Sequence, residues 1–276
     1  MQALLPGRPL DSHKGQNGRA LLIAGCETYA GAALLCATAA LRAGCGILTA
    51  CVPGAVKGYF AALPQAICIP ANGSTDWDDD ALSALQPEIY KADAIALGPG
   101  AGNGMTERIV RAVLETGKRL VLDADGLNLL SRVRALFKAL HPDVILTPHA
   151  GEMARLLKCD TAAILRDPIG TARQAAAQWG CIVLLKGATT VVASPDRAAL
   201  IAQGNPGLAK AGSGDVLTGL ILGLLAQGAD VFGAACTGAY LLGATADAAL
   251  ELLAERMLVS GDILDAIERT LRGFSD

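Results

Sequence analysis

The sequence predicts an α/β fold with a mostly parallel central sheet and helices on both faces. Two observations predict it. Short apolar runs alternate with helical patterns along the whole chain, the order expected of strand–helix–strand units. The composition agrees: 52% of the 276 residues are hydrophobic, only 4% are aromatic, and 32 are glycine. Runs of Ala, Leu, Ile and Val without polar alternation suit strands buried on both faces.

The elements follow in order. "RALLIAG" (19–25) reads as a strand, and "YAGAALLCATAALRAG" (29–44) as a small-residue helix ended by Gly44. Strands follow at 46–53 and 66–70, then a helix around 78–90. "DAIALGPG" (93–100), "RLVLDAD" (119–125), "DVILTPH" (143–149) and "CIVLLKG" (181–187) share one form. Each is an apolar run with polar or turn residues at its carboxyl end. Helices fill the gaps near 104–117, 149–158 and 167–179. "TTVVAS" and "ALIAQ" make a hairpin-like pair, and helices close the chain from about 213 to 272. No linker, repeat or low-complexity tract divides the chain, so one domain over residues 1–276 is expected.

Composition also narrows the function. The net charge is −3 and no long basic stretch occurs, which argues against a nucleic-acid partner. No uninterrupted apolar run reaches the ~20 residues of a membrane span. "MQALLPGRPL" lacks the charged and apolar regions of a signal peptide. The eight cysteines contain no C-x-x-C pair and are expected to be reduced, buried thiols of a cytoplasmic protein.

In open parallel sheets, ligands bind outside the carboxyl ends of the strands. The polar signals gather there: Gly98-Pro99-Gly100, Asp123 with Asp125, Thr147-Pro148-His149, and Lys186-Gly187. A further signal is "NPGLAKAGSGDVLTGLILGLLAQG" (205–228). Gly212-Ser213-Gly214 would open a helix whose free N–H groups and dipole attract an anion. Asp215 in its first turn could take a proton from a hydroxyl attacking a phosphoryl group. Each motif also has a plain structural reading. Asp215 could be a helix cap, Lys186 a solvated strand end, and His149 a helix start with Glu152 as capping partner. Asp125 could cap a helix through Asn128. A P-loop and a complete G-x-G-x-x-G after a strand are both absent.

Five stretches in order, "YAGAALLCATAALRAGCG" (29–46), "DADGLNLL" (123–130), "LTPHAGEMARLL" (146–157), "LKGATT" (185–190) and "NPGLAKAGSGDVLTG" (205–219), resemble the ADP-dependent NAD(P)H-hydrate dehydratases of the ribokinase-like superfamily. The resemblance covers nearly the whole chain; the family often occurs fused behind an epimerase domain, and the stand-alone form is expected here. It implies a ribokinase-like fold and ADP-dependent dehydration of the S epimer of NAD(P)H hydrate. That reaction restores NADH or NADPH and releases AMP and phosphate. By the same resemblance, Asp215 is the general base with Gly214 in the anion hole. Lys186, Gly187, Ala188, Thr189 and Thr190 bind the nucleotide, and Ala32, Gly100 or Gly102, and His149 meet the hydrate together with Asp215. Glu152 organises magnesium indirectly, through its waters. A homotetramer is also implied. Cys26 stands where the family commonly has Ser, and Ala150 where it has Pro. Lys210 could screen phosphate or face solvent. There are two rivals: a small-molecule kinase that would share Asp215 and the anion hole but stop at a phosphate ester, and a nucleotide-binding regulatory module without turnover, against which the intact Gly-Ser-Gly-Asp speaks.

Overall fold

Apolar runs of three to six residues become strands, and successive residues of each run face opposite cores. The computed structural model describes residues 5–71 and 73–272. In β1 (Arg19–Ile23), Leu21 and Ile23 join one buried cluster while Ala20 and Leu22 join another. β4 (Ala94–Leu97) and β5 (Arg119–Leu122) divide the same way: Ile95, Leu97, Leu120 and Leu122 on one side, and Ala94, Ala96 and Val121 on the other. Side chains alternate across a strand, so a run that is apolar at every position needs cover on both faces. Each fully buried aliphatic side chain is worth roughly 1.5–3 kcal/mol of transfer free energy, which sets the depth of both cores.

The remaining strands are β2 (Ile47–Val52), β3 (Ile67–Pro70), β6 (Val144–Leu146), β7 (Ile182–Leu185), β8 (Thr190–Ala193) and β9 (Ala198–Ile201). They form one nine-stranded sheet in the order β3-β2-β1-β4-β5-β6-β7-β8-β9. Pairing is parallel from β3 to β7 and antiparallel across β7–β8 and β8–β9. The hairpin-like pair expected at 189–203 is therefore the β8–β9 ladder. The chain leaves the centre in both directions from β1 and β4, so their shared boundary is the switch point at which parallel sheets open a crevice.

One face is covered by α2 (Leu82–Lys91), α3 (Glu107–Leu114), α4 (Ala124–Arg132), α5 (Ala150–Leu157), α6 (Thr161–Arg166) and α7 (Pro168–Trp179). The other is covered by α1 (Ala30–Arg42), α8 (Ser213–Ala226) and α9 (Val231–Ala249), with α10 (Ser260–Arg272) packed outside them. The small residues of α1 serve a helix–helix contact. A Cβ on Gly219 of α8 would come 2.2 Å from the Cys36 carbonyl oxygen of α1, and one on Gly223 would come 2.5 Å from that of Ala40. This close approach holds α8, with Asp215 at its start, flush against α1.

Two expectations need correction. The helix at 124–132 begins directly at the end of β5, and its N-cap is Asp123 rather than Asp125. The thiols are all free, but not all are buried: Cys159 is exposed and Cys68 half-buried. Cys159 lies past the end of α5, in the turn before α6, where no core reaches it. No helix among the described residues is long and apolar enough to cross a membrane.

Candidate active site

Four neighbouring parallel strands deliver the polar residues to one edge of the sheet. Gly98 to Gly102 follow β4, Asp123 follows β5, His149 follows β6 and Lys186 follows β7. The loop after β4 lies at the switch point. Gly25 N–H, just past β1, donates to the Pro99 carbonyl at 2.8 Å, and Gly98 N–H donates to Ile23 at 3.1 Å. Gly100 and Gly102 have φ of +57° and +70°, a region where glycine is the low-strain choice. A Cβ on Gly100 would come 2.6 Å from Ala32 Cβ, so Ala32 at the start of α1 closes directly on this loop.

Asp215 sits in the first turn of α8, whose N-cap is Gly212 at φ +95°. No side-chain cap bond satisfies this helix start, and the cap reading of Asp215 loses its support. Burial pushes the Asp215 carboxyl up to about 7; Asp123 adds to the rise, Lys186 opposes it, and Asp125 adds to it. A carboxylate poised there is suited to proton transfer near neutral pH.

Lys186 is not a solvated strand end. Its Nζ lies 2.9 Å from Asp123 Oδ1 and 3.8 Å from Glu152 Oε2. Burial alone would lower its pKa, but Asp123, Glu152 and Asp215 outweigh that and raise it. The ammonium is held at the start of α8: an ideal Cβ on Gly214 would lie 3.5 Å from Lys186 Nζ. Gly187, Ala188 and Thr189 form the exposed turn from β7 to β8, and Thr190 begins β8.

His149 opens α5 with a reciprocal capping box. Its Nδ1 accepts from the N–H of Gly151 at 2.9 Å and of Glu152 at 3.3 Å, and its own N–H donates to Glu152 Oε2 at 2.8 Å. The expected helix-start geometry is present, and it leaves the imidazole exposed. Glu152 itself is buried, at 7% exposure, facing Lys186.

Asp125 lies inside the first turn of α4 and does more than pair with Asn128. Its Oδ1 accepts from Asn128 Nδ2 at 3.1 Å, and its Oδ2 accepts from Gly102 N–H at 2.7 Å. It thereby ties the glycine loop to the first turn of α4. Lys210 is exposed, and its Nζ donates to the Arg256 carbonyl at 2.5 Å. Sequence reasoning missed Thr218, whose hydroxyl donates to Asp123 Oδ2 at 2.7 Å. The available signal was its position three residues after Asp215, on the same helix face. A separate open groove of about 740 Å³ runs along Gly151, Arg155, Lys158, Cys159, Asp160 and Thr161; neither Asp215 nor Lys186 lines it.

A family model described as NAD(P)H-hydrate dehydratase matches residues 20–269. The chain is 41% identical to a bifunctional NAD(P)H-hydrate repair enzyme of Moorella thermoacetica, over 99% of this chain and 52% of that protein. It therefore spans about half the length of the bifunctional relatives it matches. It is 40% identical to an ADP-dependent (S)-NAD(P)H-hydrate dehydratase of Neisseria meningitidis, over 87% of this chain and 80% of that protein. Among solved structures, an ADP/ATP-dependent NAD(P)H-hydrate dehydratase from Bacillus subtilis, co-crystallised with ATP and Mg2+, superposes with a TM-score of 0.82 at 32% identity, covering 99% of this chain and 95% of that one. A ribokinase-like superfamily protein of Enterococcus faecalis superposes with a TM-score of 0.84 at 25% identity, covering 99% and 93%. The fold is ribokinase-like.

Proposed function

We propose a repair reaction on one premise: this chain belongs to the NAD(P)H-hydrate dehydratase family, whose model spans residues 20–269. It uses ADP to dehydrate the S epimer of NADH or NADPH hydrate, restoring the reduced nicotinamide and releasing AMP and phosphate. The observation that carries this reading is Asp215, a carboxyl raised to about 7 at a glycine-flanked helix start, with the Lys186 ammonium beside it.

Hydroxide is a poor leaving group near neutral pH. The difficulty disappears if the hydrate hydroxyl is first phosphorylated. Asp215 takes the hydroxyl proton as its oxygen attacks the terminal phosphorus of ADP. The bond from that phosphorus to the bridging oxygen breaks, and AMP leaves. The N–H groups at Gly214 and the Lys186 ammonium hold the transferring phosphoryl group, which carries its charge on peripheral oxygens. Phosphate then departs with its electron pair, pushed by the ring nitrogen; the adjacent ring carbon gives up a proton to water, and the ring double bond returns. Lys186 to Thr190 bind the nucleotide, and Ala32, Gly100, Gly102 and His149 face the hydrate.

Magnesium fits this donor set in an indirect role. Glu152 supplies one carboxylate beside the anion hole, and no group of three or more metal-ligating side chains is present among the described residues. Mg2+ is ordinarily held by one or two carboxylates, waters and substrate phosphates, so it would arrive with the nucleotide and neutralise phosphate charge there. A cytoplasmic homo-oligomer, tetrameric by family resemblance, belongs to the same reading and rests on that resemblance alone.

The test supplies chemically hydrated NADH, magnesium and ADP. The reduced-nicotinamide absorbance should return, with one AMP and one phosphate released per NADH, and ATP should serve more slowly than ADP. A stable phosphorylated product without NADH recovery would replace this reading with the small-molecule kinase. Tight nucleotide binding without turnover would replace it with the regulatory module.

A further inference from the structure

Asp123 is the most enclosed carboxylate of the crevice, 2% exposed, and the reaction above gives it no task. Both of its oxygens are committed. Oδ1 accepts from Lys186 Nζ at 2.9 Å and Oδ2 from Thr218 Oγ1 at 2.7 Å. These partners come from opposite sides of the site. Lys186 follows β7, while Thr218 lies on α8 one turn beyond Asp215. The backbone at Asp123 is fixed with equal closeness. A Cβ on Gly98 would come 2.0 Å from the Asp123 carbonyl oxygen. Ala124, immediately after it, has φ +46°, a strained conformation for a non-glycine residue that persists where surrounding structure enforces it. As the N-cap residue of α4, Asp123 also forgoes a cap: its side chain accepts no N–H of its own helix. A capping residue that leaves its helix start uncapped has its carboxylate in use elsewhere.

We propose that Asp123 is a positioning residue for phosphoryl transfer: by bridging Lys186 to Thr218 it holds the ammonium over Gly214 and beside Asp215. The proposal rests on the dehydratase reading for the identity of the step, and on this chain's geometry for the bridge. Without the bridge, Lys186 keeps only its longer approach to Glu152, at 3.8 Å, and is free to swing toward that side. With it, a cation and an anion both face Asp215. The charged groups acting on Asp215 are Asp123 and Asp125 at the β5–α4 junction and Lys186 after β7. The titratable neighbour from α1 is Cys36, a thiol that burial keeps well above its ordinary value, with Asp215 and Asp123 adding to the rise. Removing the charge of Asp123 takes away a repelling carboxylate, which favours the ionised form of Asp215; release of the attracting ammonium toward Glu152 opposes this and is the smaller of the two effects.

The test is Asp123→Asn in the full chain, checked for folding by its melt. Carboxyl-carbon NMR follows the titration of Asp215, whose signal is identified by its loss in Asp215→Asn. The Asp215 midpoint should fall by up to roughly one pH unit, the scale of a nearby like charge, because the lost carboxylate outweighs the released ammonium. The acid limb of kcat/KM should move down with it, while kcat falls because the ammonium is no longer fixed. A folded variant with an unmoved midpoint and an unmoved acid limb would overturn the proposal and leave Asp123 a structural residue. If Asp123→Asn does not fold, Lys186→Met gives the converse measurement. With the cation gone, Asp123 and Asp215 face each other directly and the midpoint should rise; an unmoved midpoint there overturns the proposal equally. A wild-type chain that regenerates no NADH counts against the dehydratase reading alone, because the carboxyl titration supports or overturns the role of Asp123 without any turnover.

Discussion

A carboxyl whose midpoint is about 7 is half ionised at neutral pH, and Asp215 is in that position mainly because of burial. Two consequences follow in opposite directions. For the reaction, the base form prevails only above the midpoint, so kcat/KM should rise with pH through about 7. Asp215→Asn should lose about 10²–10⁴ in rate while still binding AMP. For stability, the sign reverses the usual carboxylate case. The unfolded carboxyl titrates near 3.9, so between about 4 and 7 the folded chain binds the extra proton, and stability from this group falls as pH rises across that window. The Asn variant carries no such penalty. Its melting temperature should exceed that of wild type at pH 8, with the gain shrinking toward pH 4. A gain that is constant with pH would show that Asp215 is not strained by burial. Lys186→Ala is expected to weaken ADP and AMP binding by about 1–3 kcal/mol, the range for a charge-assisted bond, measured by calorimetry. It should also lower the melting temperature, because it strips a buried carboxylate of its partner. Asp215, Lys186 and the His149–Glu152 pair were legible in the sequence because each belongs to a short local pattern. Asp123 was legible only as a polar residue at a strand end; its bridge was not, since its partners are 63 and 95 residues away and only the sheet order brings them together.

At the level of elements, the seam between α1 and α8 sets where Asp215 stands. Gly219 faces the Cys36 carbonyl and Ala39 Cβ, and an added methyl would come 2.2 and 2.6 Å from them. Both neighbours belong to a helix and neither is a flexible side-chain tip, so relief requires α8 to move. Gly219→Ala should therefore destabilise the chain by about 1–3 kcal/mol or more, as overpacking does, and should lower kcat by tilting the first turn of α8. Gly261→Ala in α10 is the matched control. No atom lies within 4 Å of a Cβ there, and Ala stabilises compatible positions by about 0.4–1 kcal/mol. Chemical denaturation of both variants checks the pair, and equal stabilities would mean the seam yields without cost. The strands themselves were readable because burial on both faces leaves an unbroken apolar run. The helix at 124–132 was harder to delimit. It starts without a spacer at the end of β5 and takes a cap whose side chain points elsewhere, so the usual start signals are absent.

For the whole molecule, the two cores enclose most of the sulfur. Cys26, Cys36, Cys45, Cys51, Cys181 and Cys236 are buried, Cys68 is half-buried and Cys159 is exposed, and all eight are free. Burial pushes Cys45, Cys51 and Cys181 up to about 12, so these thiols stay protonated and unreactive as well as hidden. A single-face sheet would leave every second side chain of β2 in solvent. The two-faced sheet instead hides Cys51 on β2 in one core, while Cys36 on α1 lies in the other. An aromatic disulfide reagent added to the native chain should therefore react quickly with one thiol, Cys159, and slowly with a second, Cys68. The remaining six should appear only with denaturant, in step with the unfolding transition. Cys159→Ser should abolish the fast phase and leave both the melting temperature and the turnover as they were, because the residue borders α6 at the rim of a groove that Asp215 does not share. Three or more fast thiols in the native chain would mean that one of the two helical layers opens readily in solution. The helices of one layer include α8, so that outcome would also undo the fixed placement of Asp215 on which the proposed reaction depends.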